Sequence, residues 1–100
     1  MSADRHAALI ESIRRDVIAG PGVTTREDRA RVVAGDAPAD LRAFLTKVRE
    51  ASFKVTDDDI AALRAAGHTN DEIYELTVAA VVGIACERRE AATRAMRKTP

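Results

Sequence analysis

Residues 55–83 read VTDDDIAALRAAGHTNDEIYELTVAAVVG, and this stretch decides the fold. Thr56 followed by Asp57, Asp58 and Asp59 is a helix start. The hydroxyl accepts from an orphan amide, and the carboxylates complement the positive end of the helix dipole. Ile60 and Leu63 supply an apolar face, and Gly67 stops the helix. Thr69 with Glu72 three residues on predicts a capping box opening a last helix over 70–97. At 1.5 Å per residue that helix is about 42 Å long. Over residues 76–86 it is apolar on nearly every side, whereas a surface helix needs only one buried stripe.

Upstream, the same signals recur. Ser2 predicts the cap of a first helix running to about Ala19, with Leu9, Ile10, Ile13, Val17 and Ile18 on one inward face. Gly20-Pro21-Gly22 ends it, with glycine in the left-handed position and proline unable to extend the ladder. Thr25 and Asp28 resemble a capping box for a short arginine-rich helix to Ala34, closed by Gly35. Residues 36–40, with Pro38 in a first helical turn, predict a third helix to about Ser52 carrying Leu41, Phe44, Leu45 and Val48 inward. No segment alternates with period two for long enough to read as a strand. The expectation is an all-α bundle of about five helices, one domain over 1–100.

Composition agrees. The chain of 100 residues is 46% hydrophobic with only three aromatic residues, Phe44, Phe53 and Tyr74. Its core must therefore be filled by aliphatic residues and alanine, a strong helix former and poor strand former. A chain this short buries only about 60–65% of its unfolded surface, so its private core is marginal. Sixteen basic and sixteen acidic residues cancel, so no overall field draws nucleic acid or an anionic membrane. Arginine outnumbers lysine thirteen to three, which with the alanine excess suggests a GC-rich bacterial genome. The single Cys86 suits a reducing compartment, and no apolar run approaches the roughly 20 residues that span a bilayer. A soluble, cytoplasmic protein is expected.

The segment DDDIAALRAAGHTNDEIYELTVAAVVGIACER has an acidic helix start, AALRAAG, a small polar turn, an acidic cap and an apolar helix ending in arginine. In this order it resembles the carboxymuconolactone decarboxylase and alkylhydroperoxidase AhpD-like superfamily, over roughly residues 40–96. The resemblance implies a small AhpD-like helical bundle that assembles as dimers, trimers or hexamers. In the peroxidase branch a Cys-x-x-Cys pair, a histidine and a glutamate precede this segment. Counting back from Gly67, those positions hold Ser52, Val55, Asp59 and Thr46. Disulfide cycling needs a low-pKa thiolate, a resolving thiol and a proton relay. Serine and valine supply neither thiol.

Other candidates are few. Cys86 reads as a small packed residue on the long helix, with a nucleophilic thiol aided by Arg88 and Arg89 as the sharper alternative. His68 reads as a solvated turn residue, and His6 as an exposed one; neither has the converging ligands of a metal site. The three consecutive aspartates read as dipole complements, not a cation loop. Arg88, Arg89, Arg94, Arg97 and Lys98 make the C-terminal end basic, as is ordinary near a helix C-terminus.

The sequence thus predicts a non-catalytic, AhpD-like small oligomeric protein that binds a partner or a small ligand, with no cofactor and no metal. An enzyme of the same superfamily, with its chemistry moved to Cys86 or Asp59 in an inter-subunit pocket, is the rival. The assembly expected is a homo-oligomer, dimer or trimer. Its interface would lie on the last helix: Leu76, Val78, Val81, Val82, Gly83 and Ala85.

Overall fold

The computed structural model describes residues 2–98, which form five α-helices: α1 Ser2–Ala19, α2 Arg26–Val33, α3 Arg42–Ala51, α4 Asp57–Ala65 and α5 Asn70–Arg97. A 3-10 turn, Ser52–Lys54, links α3 to α4. Among the described residues there is no strand. The all-α expectation and the long C-terminal helix hold. None of the described helices is long and apolar enough to cross a membrane.

Local capping places most of the boundaries. Thr25, Thr56 and Thr69 each accept from the amide three residues on, starting α2, α4 and α5. Of these three, only α4 has the full reciprocal box: Asp59 reaches back to the Thr56 amide at 2.9 Å. At α5 the Glu72 carboxylate turns instead to the Thr69 hydroxyl and His68. The side chains of Ser2 and His6 lie outside the described residues, as do the cap and the exposure expected of them. Gly35 and Gly67 take positive φ, 94° and 104°, where a side chain would be strained. Gly20 does not.

The start of α3 is a correction. Pro38 does not sit in a first helical turn; its carbonyl accepts from Leu41, and the helix begins at Arg42. The residue before a proline is pushed out of the helical region. Here that residue, Ala37, is buried with Leu41, so this segment runs along the core before α3 starts.

The core is one cluster of aliphatic side chains: Val32 and Val33 of α2; Ala37 and Leu41; Phe44, Leu45 and Val48 of α3; Leu63 of α4; and Ile73, Leu76, Ala79 and Ala80 of α5. α5 runs through it, touching all four other helices. α1 supplies no buried side chain among those described. Its Ile10, Val17 and Ile18 are half-buried, but Leu9 and Ile13, expected inward, are 59% and 42% exposed. The molecule is drawn out along α5, 52 Å in its long dimension, with a radius of gyration of 15.1 Å against about 13 Å for a compact chain of this length.

Candidate functional site

α3, the 3-10 turn, α4 and α5 do not close on one another, and a groove of about 540 Å³ lies between them. Phe44 and Val48 of α3, with Val55 and Ile60, form one side. Ile73, Tyr74, Thr77 and Val81 of α5 form the other, at the three- and four-residue spacings that share a helix face. The Thr77 hydroxyl donates to the Ile73 carbonyl at 2.7 Å, so it is already committed. Ser52 and Asn70 are the other polar residues of the lining. Tyr74 and Val81 are 71% and 53% exposed, large apolar surface at the rim.

Val48, Ser52 and Val81 also line a second hollow of about 270 Å³, which carries the groove on toward Ile84 and Ala85. It ends at two guanidinium-bearing residues, Arg49 and Arg88. Arg49 pairs with Glu87. Arg88 makes no ion pair with another described residue. From Asn70 to Arg88 the trough follows α5 for about 27 Å. It is apolar along its length and basic at one end.

The residues named from the resemblance do not converge. Ser52 and Val55 share the groove. Thr46 lines a separate cleft with Gly35, Asp36, Arg42 and Arg49. Asp59 lines a third, between α3 and α4, with Asp40 and Lys47. The Asp59 carboxylate accepts from the Thr56 amide and from Lys47 Nζ at 3.0 Å, and both contacts hold its pKa below the usual value, the amide more strongly. Cys86 is half-buried and lines neither the groove nor the α3–α4 cleft. Leu76 and Gly83, expected on an outer interface, are buried inside the chain's own core, Leu76 at 3% exposure. Val81 and Ala85 of that set remain exposed, with Val78 and Val82 half-buried.

His68 is also a correction. Its side chain is only 14% exposed and bridges Asp40, at 2.6 Å from Nε2, and Glu72, at 3.3 Å from Nδ1. It ties the segment before α3 to the first turn of α5. Burial disfavours the imidazolium, but hydrogen bonds to Glu72 and Asp40 outweigh it and raise the pKa above its ordinary 6.5. Only the imidazolium donates from both nitrogens. The clamp's contribution is therefore complete below the unfolded value of 6.5 and is lost as pH rises through the higher folded value. The melting-temperature difference between wild type and His68→Gln should be largest near about pH 5.5 and shrink by about pH 8. A difference that grows with pH would contradict this.

A polar cluster that the sequence did not reveal organises the α1–α2 turn. Arg29 is 4% exposed and donates to the carbonyls of Ile18, Gly20 and Thr24 at 3.1, 2.7 and 2.6 Å. Glu75 of α5 accepts from the Thr24 hydroxyl and from the amides of Val23 and Thr24. The hydroxyl contributes most to holding the Glu75 pKa below the usual carboxylate value. At Gly22 a Cβ would overlap the Glu75 carboxylate and lie 2.8 Å from Arg29 Nη1, so the ends of those two side chains would have to shift. Among the described residues no group of three or more His, Cys, Asp or Glu is placed to hold a metal ion.

Comparison of the chain with protein-family models, with curated proteins and with solved structures gives no match.

Proposed function

We propose that this is a non-catalytic, self-associating helical module whose α5 groove binds a small apolar ligand with an anionic end. The observation that carries the reading is the trough itself. Its volume falls in the range of small-molecule sites, its walls are aliphatic and aromatic, and its few polar groups lie at fixed points. Arg88 at the far end supplies an uncommitted cation for the ligand's charged group. The likeness to carboxymuconolactone decarboxylase and AhpD-like proteins belongs to the same proposal, on the strength of residues 57–88.

The rival is an enzyme of that kind with its chemistry at Asp59 or Cys86. Asp59 does line a cleft, but its carboxylate is taken up by a helix cap and by Lys47. Glu72 is likewise taken up by Thr69 and His68. These commitments support structural roles for both carboxylates, and thus the binding reading.

The test uses 1-anilinonaphthalene-8-sulfonate, an apolar ring system with one sulfonate. The folded protein should bind it saturably, with enhanced fluorescence. Val81→Glu places a carboxylate in the apolar wall at an exposed position, so the melting temperature should barely move. Affinity for the probe should fall at least about tenfold, the equivalent of about 1.4 kcal/mol. Equal affinity in the variant would overturn the assignment of the groove.

A further inference from the structure

α1 is the one helix with no buried side chain among those described, although it carries five large aliphatic residues. Its inward side, Ile10, Val17 and Ile18, rests half-covered against α2 and α5. Leu9 and Ile13, four residues apart, sit on the outer side of this apolar band. Arg5 stands four residues before Leu9, and Asp16 three after Ile13, so the same face carries both. Both are exposed, and neither makes an ion pair with another described residue. The stripe therefore reads cation, aliphatic, aliphatic, anion over about 16 Å of helix.

That order is complementary to its own reversal. We propose that two copies of this chain pair through α1, antiparallel about a twofold axis. Leu9 of each then packs on Ile13 of the partner subunit, and Arg5 of each meets Asp16 of the partner subunit. The two pairings share one centre to within half a residue, about 0.75 Å of helix rise, well inside side-chain reach. A twofold contact makes each pairing occur twice, which is how a short stripe becomes a closed interface. With α5 packed beside each α1, the pairing brings four helices together around the contact. Such a contact explains why α1 is helical and apolar yet unburied in one copy. A second copy is favoured over an unrelated partner because the charge order matches itself, with like charges kept apart.

The inference rests on the self-association in the proposed function but not on the groove. The α1 variants should leave binding of 1-anilinonaphthalene-8-sulfonate unchanged, and Val81→Glu should leave the mass unchanged, so the two ideas fail separately. The experiment is sedimentation equilibrium at low salt on Arg5→Asp, Asp16→Arg and their equimolar mixture. Each substitution is at an exposed position, and circular dichroism checks that helix content is kept. Wild type should show a monomer–dimer equilibrium. In Arg5→Asp two aspartates face each other, and in Asp16→Arg two arginines do. Each should raise the dimer dissociation constant at least about tenfold. In the mixture, the aspartate introduced by Arg5→Asp meets the arginine introduced by Asp16→Arg. The native Asp16 of the first variant likewise meets the native Arg5 of the second. Heterodimers should therefore return to within about threefold of the wild-type constant. A monomeric wild type, single variants that dimerise as wild type does, or a mixture no tighter than its components would each overturn the proposal.

Discussion

Gly83→Ala should destabilise the protein by at least about 2 kcal/mol, although alanine is the better helix former by about 1 kcal/mol. Gly83 lies in the middle of α5 where α2 crosses it. A Cβ added there would fall on the Val33 carbonyl oxygen, 3.0 Å from its carbon and 3.1 Å from the Val33 Cα. All three are backbone atoms of a short helix whose neighbouring side chain, Val32, is also in the core. No flexible group can give way, so α2 must move off α5 and loosen the core that the two helices share. For a domain of this size the melting temperature should drop by about 8–16 °C, and Gly83→Leu should cost more. An unchanged or higher melting temperature for Gly83→Ala would show that the two helices are free to separate.

Arg29→Met should cost about 3 kcal/mol, or about 12–24 °C in melting temperature. Methionine keeps the apolar stem of the side chain and removes the guanidinium. Three carbonyls, of Ile18, Gly20 and Thr24, then lose a charged donor in a place that water reaches poorly. Each such bond contributes about 1.5–3 kcal/mol singly, and the three are not additive because the turn can relax. Glu75 also loses its nearest cation, 3.5 Å away, while keeping its contacts to Val23 and Thr24. Arg14→Ala is the control: it removes an exposed pair with Glu11, and its effect should stay under about 0.5 kcal/mol. Equal losses from the two substitutions would mean that Arg29 is solvated in solution.

What was legible in the sequence follows the range of the interactions. The starts of α2, α4 and α5 were readable because a threonine hydroxyl and an amide three residues on are neighbours in the chain. Gly35 and Gly67 were readable for the same reason: a left-handed residue after a helix is a local demand. The start of α3 was not. Residues 36–40 have the composition of a helix start, but burial of Ala37 and Leu41 keeps them irregular, and that burial is tertiary. Gly22 reads as a turn glycine, but it also lies against the ends of the Arg29 and Glu75 side chains, which meet across 46 residues of sequence. His68 looked solvated because Asp40, its closest partner, is 28 residues away. The groove was only half visible. The excess of apolar residues on α5 signalled an uncovered face, but the opposing wall of Phe44, Val48, Val55 and Ile60 comes from three segments brought together by folding. Helical periodicity also placed Leu9 and Ile13 on the inward side of α1, when the neighbouring helices are too few to cover that width.

The claim that the α5 trough is the binding surface is tested most directly by mapping amide chemical shifts during titration with 1-anilinonaphthalene-8-sulfonate. The expected shifts gather on Ser52, Val55, Ile73, Thr77 and Val81 and reach Arg88, with little change along α1 or in the Arg29 turn. Shifts spread evenly over the surface, or gathered on α1 around Leu9 and Ile13, would contradict it.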